Sequence, residues 1–157
     1  MSTRTPPTSE DGGNPHETFV EEKANGGAMN SVSEAPDLKA IATEFLRNAA
    51  SGRVAEAYAR HISPDFRHHN PYFAGNAAAL QNGMRESAEK NPNKLFEIQH
   101  VLREGDFVAV HSRLRQSHMT TDIAVVHLFR FRDGLIEELW DIAQIQPEEM
   151  LNEHGMF

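Results

Sequence analysis

The chain has 157 residues, of which 39% are hydrophobic, and this is enough for one modest domain with a core of its own. Its formal net charge of -8 argues against binding to a nucleic-acid backbone, because no basic stripe is present. The absence of Cys excludes disulfides and thiolate chemistry, and no apolar run approaches the ~20 residues of a membrane span. The N-terminus lacks the apolar core of a secretory signal, so we expect a cytoplasmic protein that binds neither nucleic acid nor membrane.

Residues 1–36 are rich in Pro, Gly, Ser, Thr and Glu, and Phe19 and Val20 are their only bulky apolar pair. Such a segment buries too little apolar surface to offset the entropy that ordering it would cost. We therefore predict a disordered tail over residues 1–36 and one folded domain over residues 37–157.

The first part of the domain carries the pattern of three helices. Asp37 is an N-cap candidate for a first helix, in which apolar residues recur at helical spacing. A second short helix begins near Val54 and stops before Pro64, and residues 63–76 then form an irregular connection. The third helix is predicted over residues 76–89, since Asn is a common N-cap residue.

After the third helix the period of the pattern changes from helical to alternating. Four strand-like runs cover residues 94–103, 107–116, 121–132 and 135–144. Helices first and an antiparallel meander second indicate an α+β fold. A curved sheet wrapped around the helices would leave a cone open at one end, and residues 147–154 are predicted to add a closing helical turn.

Asp133-Gly134, between the last two strands, is a strong signal for a two-residue hairpin turn, and such a turn fixes the pairing register. In that register His127 faces Trp140. One face of the hairpin is then apolar with a few polar groups, which is how a ligand pocket is lined. This predicted pocket face carries Val125, His127, Phe129, Phe131, Ile136, Trp140, Ile142 and Gln144. The opposite face carries Arg130, Arg132, Glu137, Leu139 and Asp141.

Two segments resemble a known family. FRFRDGLIEELWDIAQ, residues 129–144, is similar to the C-terminal signature of SnoaL-like proteins in the nuclear transport factor 2 superfamily. In that signature an apolar strand, a D-G turn and an I-x-E-x-W strand recur. HHNPYFAG, residues 68–75, is similar to the loop before the third helix in one branch of the family. The resemblance covers roughly residues 38–150, which is nearly the whole predicted domain.

The resemblance implies a cystatin-like α+β fold, in which a curved mixed sheet forms a cone-shaped barrel around three helices and often dimerises through its outer face. It also implies an intramolecular aldol ring closure that uses neither a metal nor a cofactor. In the polyketide cyclases of the family, a carboxylate four residues after the Trp is the acid/base. Gln144 stands at that position here, and because a Gln cannot take up a proton, this catalytic base is not carried over.

Three residues are candidates for the catalytic chemistry: His69, His127 and Asp141. His is the side chain best suited to exchange protons near neutral pH. His127 lies on the predicted pocket face, where a buried His satisfied by one hydrogen bond is the alternative, and His69 enters mostly through the resemblance. Asp141 follows Trp140 and lies on the opposite face by simple alternation, so it could reach the pocket only through a β-bulge.

The residues predicted to bind the substrate are Asn70, Tyr72, His111, Trp140 and Gln144. For Asn70, a turn stabilised by its own side chain is the alternative. The spacing of the His residues forms no dense set of metal ligands, although His69, His111 and His127 could converge through the fold. We therefore expect no metal and no cofactor. The residues expected to face solvent are His68, His118 and His154.

The sequence leaves two functions open. The first is a cofactor-independent lyase or isomerase that acts on a small carbonyl compound, with His69 or His127 removing a proton next to the carbonyl. A side-chain donor such as Asn70, Gln144 or Trp140 would then stabilise the enolate oxygen. The second is a non-catalytic binder of a small apolar molecule, or a dimeric accessory module, with the same pocket. A homodimer through the outer sheet face is expected in either case.

Overall fold

The computed structural model describes residues 35–157, so the predicted disordered tail, apart from its last two residues, lies outside the described residues. Three helices and five strands follow one another along this part of the chain. They are α1 (Leu38–Ala50), α2 (Val54–His61), β1 (Ile62–His68), α3 (Ala77–Lys90), β2 (Leu95–Glu104), β3 (Phe107–Arg115), β4 (Ile123–Arg132) and β5 (Leu135–Ile145).

Local sequence signals account for where two of the helices begin. The Asp37 carboxylate accepts hydrogen bonds from the backbone N–H groups of Lys39 and Ala40, at 3.0 and 3.2 Å, and so caps α1. The Asn76 side chain accepts from the N–H of Ala79 at 3.0 Å and caps α3 in the same way. Both predicted N-caps are therefore confirmed.

The five strands form one sheet in the order β1-β5-β4-β3-β2. β1 runs parallel to β5, whereas the other neighbours are antiparallel, so the sheet is mixed. β1 overlaps the first part of the segment, residues 63–76, that the sequence predicted to be irregular. The prediction is wrong for residues 63–68, whereas residues 69–75 are irregular as predicted. Pro64 is compatible with a strand here because β1 is at the edge of the sheet, where a missing N–H breaks no ladder.

The helices cover one face of the sheet, called here the inner face, and the core lies between them. Phe45 of α1 is fully buried and packs its ring against Tyr58 and Phe129, with centroids 5.5 and 5.9 Å apart. This confirms the predicted α+β class. The helical turn predicted at residues 147–154 does not form, and the full exposure of Leu151 shows that the segment has no apolar face buried on the domain.

The hairpin between β4 and β5 contains both the predicted turn and an unpredicted bulge. Asp133 and Gly134 have φ of 52° and 78°, as the predicted two-residue turn requires. Phe131 then pairs with Ile136, as predicted, but the next pair is Arg130 with Glu138. Glu137 is therefore an extra residue in β5, and from there on every side chain of β5 points to the face opposite to the predicted one.

The predicted pairing of His127 with Trp140 is wrong because of this bulge. His127 instead faces Asp141. Beyond the bulge, two cross-strand pairs of the hairpin lie on the inner face: Phe129 with Leu139, and His127 with Asp141. The other side of the sheet, called here the outer face, receives three β5 residues that were predicted to line the pocket: Trp140, Ile142 and Gln144.

Candidate functional site

A cavity of about 290 Å³ lies between the helices and the inner face of the sheet. Its apolar wall comes from α1, α3 and the facing ends of β2 and β3, and includes Leu46, Leu80, Phe96 and Leu114. Six polar side chains are set into this wall: Asn70, Ser87, Lys94, Gln116, His127 and Asp141. A mostly apolar wall with a few polar groups is typical of a site for a small organic molecule.

His127 and Asp141 are the titratable pair of the cavity. They face each other across β4 and β5, and His127 is only 9% exposed. Burial lowers the pKa of His127 because the charged imidazolium is poorly solvated there, and the Asp141 carboxylate opposes part of this effect. The lowered pKa keeps the imidazole neutral at neutral pH, in the form that accepts a proton.

Asn70 holds the carboxylate of this pair in place. Its amide Nδ2 donates to Asp141 Oδ2 at 2.9 Å, and its Oδ1 accepts from the backbone N–H of Tyr72 at 2.9 Å. The two bonds fix which end of the amide points to Asp141. Asn70 therefore does both things that the sequence offered as alternatives: its side chain stabilises a local turn and also contacts the site.

His68 organises the loop that presents Asn70. Its Nδ1 accepts from the Asn70 backbone N–H at 3.2 Å, so its Nε2 carries the proton and donates to the Ala74 carbonyl at 2.7 Å. His68 is buried, and the prediction that it faces solvent is wrong. Its place at the end of β1, with a side chain turned to the helices, accounts for the burial.

His69 and Trp140 lie together outside the cavity. Their rings stack with centroids 4.7 Å apart and an interplanar angle of 4°. His69 Nε2 also contacts the Glu138 carboxylate at 2.9 Å, and Arg67 and Arg130 bind the same carboxylate. Glu138 and the side chains around it thus form a charged network near the edge of the sheet, and this network accounts for the position of His69.

Three other predicted site residues are also away from the cavity. Tyr72 is 86% exposed, and Gln144 is exposed on the outer face. His111 stacks on His100 of the neighbouring strand, with Nδ1 atoms 3.2 Å apart. Of the eight candidates, the structure thus brings three together around the cavity: Asn70, His127 and Asp141. The roles assigned to all eight stay predictions.

Sequence reasoning missed the second polar group of the cavity, which consists of Ser87, Lys94 and Gln116. Burial lowers the pKa of Lys94, again because the charged form is poorly solvated. These three residues lie at the ends of different elements, so no local motif connects them. Only their convergence on one cavity distinguishes them from ordinary surface residues.

Between residues 35 and 157, no group of three or more His, Asp or Glu side chains is arranged to hold a metal ion. In the same part of the chain, no helix has the length and apolar character needed to cross a membrane. The polar side chains that line the cavity can form hydrogen bonds, pair charges and transfer protons.

The fold and the cavity define a small α+β domain with a mixed five-stranded sheet and a mostly apolar cavity for a small molecule. The family model for the SnoaL-like domain matches residues 42–139 of the sequence. Because this match covers more than half of the chain, the chain belongs to this family. No curated protein matches the chain in sequence.

Solved structures agree on the fold. A candidate polyketide cyclase from Acidithiobacillus ferrooxidans is 19% identical, with 71% of this chain and 90% of that chain covered and a TM-score of 0.58. A candidate ketosteroid isomerase from Kribbella flavida is 19% identical, with coverages of 76% and 87% and a TM-score of 0.59. AclR, a candidate hydroxylase from Streptomyces galilaeus, is 21% identical, with coverages of 70% and 80% and a TM-score of 0.59. At these identities the likeness concerns the fold alone.

Proposed function

We propose that the protein is a cofactor-independent acid/base enzyme that acts on a small carbonyl compound. The observation that carries this proposal is the pairing of a neutral, buried His127 with Asp141 at the wall of an apolar cavity. The names of two structural neighbours, a candidate polyketide cyclase and a candidate ketosteroid isomerase, are compatible with chemistry of this class.

In the proposed first step, the neutral imidazole of His127 accepts a proton from the carbon next to the substrate carbonyl. The C–H electron pair moves into the new C=C bond and the carbonyl pair moves to oxygen, which leaves an enolate and an imidazolium. The apolar wall favours this step because a buried base keeps no water shell that must first be displaced. The lowered pKa keeps His127 free of a proton before the substrate binds.

Asp141 has the role of stabilising the imidazolium that forms. Its carboxylate raises the pKa of His127 relative to burial alone, so the attraction grows when His127 becomes charged. Asn70 keeps the carboxylate oriented through its 2.9 Å bond. An amide nitrogen has two N–H groups, and the second group of Asn70 is suited to donate to the enolate oxygen.

The imidazolium then returns its proton, and where it does so determines the product. Reprotonation of the enolate at a different carbon isomerises a double bond. Attack of the enolate carbon on a second carbonyl closes a ring, and the proton goes to the new alkoxide. Both outcomes balance without a cofactor, because the proton and the electron pair stay within the substrate and His127.

Hydrogen–deuterium exchange tests the first step without knowledge of the product. A panel of aryl ketones and ketosteroid-like compounds is incubated with the protein in deuterated water, and exchange next to the carbonyl is followed by NMR. We expect exchange with at least one compound and a loss of ~10²–10⁴ in rate for His127→Gln. The matched control is His154→Gln, at an exposed His, which should leave the rate unchanged.

Exchange that persists in His127→Gln would overturn the role of this residue. Binding of the panel without any exchange would instead favour the second function, a non-catalytic binder that uses the same cavity. Its apolar wall is the observation that favours this alternative, because it buries a small molecule whether or not a reaction follows.

We also propose that the protein is a homodimer through the outer face of the sheet. The sequence predicted Leu139 on this face, but the bulge places Leu139 in the core. Trp140 and Ile142 lie on the outer face instead, and Phe107 of β3 packs near Trp140 with centroids 6.3 Å apart. Ile142 is 61% exposed, so this face offers apolar surface for a second copy to bury.

A further inference from the structure

Lys94, a cationic residue of the cavity wall, forms no ion pair with a carboxylate in the described part of the chain. Lys94 is half-buried, and its Nζ has one polar side-chain contact in the described chain, with Ser87 Oγ at 3.5 Å. Among residues 35–157, no carboxylate forms an ion pair with this ammonium within 4.0 Å. Burial lowers the pKa of Lys94. A partly desolvated ammonium without a counter-ion is unfavourable for the empty site and is compensated when an anion binds.

Other lysines of the described chain are arranged differently. Lys90 forms an ion pair with Glu86 at 3.4 Å, and Lys39 is exposed on α1. Neither of them lines the cavity. Among the lysines of the described chain, Lys94 is thus distinguished by its place in the cavity wall.

Lys94 and Gln116 lie at the end of the cavity away from His127. His127 pairs with Val110 of β3, and Gln116 is six residues further along the chain. At about 3.3 Å per residue of strand, this separation is at most ~20 Å. The apolar side chains of Phe96 and Leu114, which pair across β2 and β3, lie between the two polar groups.

We propose that Lys94, together with Ser87 and Gln116, binds an anionic group of the substrate. The substrate class is then an elongated carbonyl compound, with a carboxylate or a comparable anion at one end, an apolar middle and the reacting carbonyl at the other. This inference rests on the proposed function for the identity of the reacting end. The ammonium supplies the charge, and the Ser87 hydroxyl and the Gln116 amide supply neutral donors.

The test is a comparison of benzoylbutyrate with its methyl ester, which differ in one negative charge. Isothermal titration calorimetry on the full chain measures both dissociation constants for wild type, Lys94→Gln and Lys94→Arg. We expect wild type to bind the carboxylate about tenfold to a hundredfold more tightly than the ester, the range for a charged hydrogen bond. Lys94→Gln should bind both equally, whereas Lys94→Arg should keep part of the preference because the charge remains.

The control variant is Lys39→Gln, which removes an exposed lysine and should keep the full preference for the carboxylate. Equal binding of carboxylate and ester by wild type would overturn the proposal, as would an unchanged preference in Lys94→Gln. Borohydride reduction that links the ketone covalently to Lys94 would also overturn it, because it would make Lys94 a nucleophile for the carbonyl. A charge preference that depends on Lys94 in a protein without hydrogen–deuterium exchange would support the anion site and refute the proposed catalysis.

Discussion

His127 and Asp141 face each other across β4 and β5 because Glu137 is an extra residue in β5. Without this bulge Asp141 would point to the outer face and Trp140 to the cavity. The bulged strand keeps four consecutive residues buried, Ile136 to Leu139, which a regular strand between a core and solvent does not do. Arg130 bridges Glu137 and Glu138 at the point where the strand changes face. Arg132 also binds Glu137 and Arg67 also binds Glu138, so each carboxylate has two cationic partners.

The first prediction concerns the electrostatic link between these two residues. Asp141→Asn removes the charge that raises the pKa of His127, so that pKa should fall below its wild-type value. An NMR titration of the His127 ring measures the change. The control is Asp65→Asn, at an exposed Asp of β1, which should leave the titration unchanged.

The same pKa sets the pH dependence of the proposed reaction. Because burial lowers the pKa of His127 below its ordinary 6.5, the base stays neutral to lower pH than an exposed His does. Exchange activity should therefore fall only when the pH drops below that ordinary value, and in Asp141→Asn the fall should occur at still lower pH. An acid limb above 6.5 would contradict this assignment.

The second prediction concerns the ion-pair network around Glu138. Its bonds to Arg67, His69 and Arg130 lower the pKa of Glu138 from 4.5 to about 2. A carboxyl with a lowered folded-state pKa adds stability that is present above the unfolded-state value and is lost as the pH falls. The free energy of unfolding should thus decrease between pH 4.5 and about pH 2.

Glu138→Gln should remove most of this pH dependence and lower the free energy of unfolding at neutral pH by roughly 1–3 kcal/mol, because charged partners lose a charged acceptor. Urea denaturation at several pH values measures both effects. Glu153→Gln, at an exposed acid, is the control. Equal pH dependence in wild type and Glu138→Gln would contradict the prediction.

The third prediction concerns the hairpin turn. Gly134 has φ of 78°, a conformation that β-branched residues avoid. A Cβ added to Gly134 would lie 3.4 Å from the Pro36 side chain. Gly134→Val should therefore lower the free energy of unfolding by roughly 1–3 kcal/mol. Gly134→Asn should cost less, since Asn tolerates positive φ. An unchanged denaturation midpoint for the Val variant would count against the turn.

The fourth prediction concerns the proposed dimer. Light scattering at micromolar concentration should give twice the 17.6 kDa mass of the chain for wild type. Ile142→Asp should give the monomer mass, because it places a charge in the apolar outer face. Leu151→Asp, at a fully exposed residue outside the sheet, should leave the dimer intact. A monomeric wild type would refute the interface.

The helices, the last four strands and the turn were predictable because their signals are local. Asp37 and Asn76 cap helices through bonds to backbone groups two or three residues away, and the Asp133-Gly134 turn depends on its own backbone. The α+β class follows from the order of such elements along the chain. The sequence named a β-bulge only as the condition under which Asp141 could reach the pocket. The arginines that contact the bulge, Arg67 and Arg130, lie on neighbouring strands rather than next to it in the sequence.

The site was decided by contacts that no local pattern specifies. β1 is a strand because β5 offers it a parallel partner about 70 residues along the chain, and His68 becomes buried with it. The shift of one residue at Glu137 brings Asp141 to His127 and removes Trp140 and Gln144 from the cavity. Lys94, the residue just before β2, lines the same cavity. The sequence by itself determined the three helices, the last four strands and the family. The tertiary structure decided which polar groups share a wall, because side-chain direction depends on pairing between distant strands.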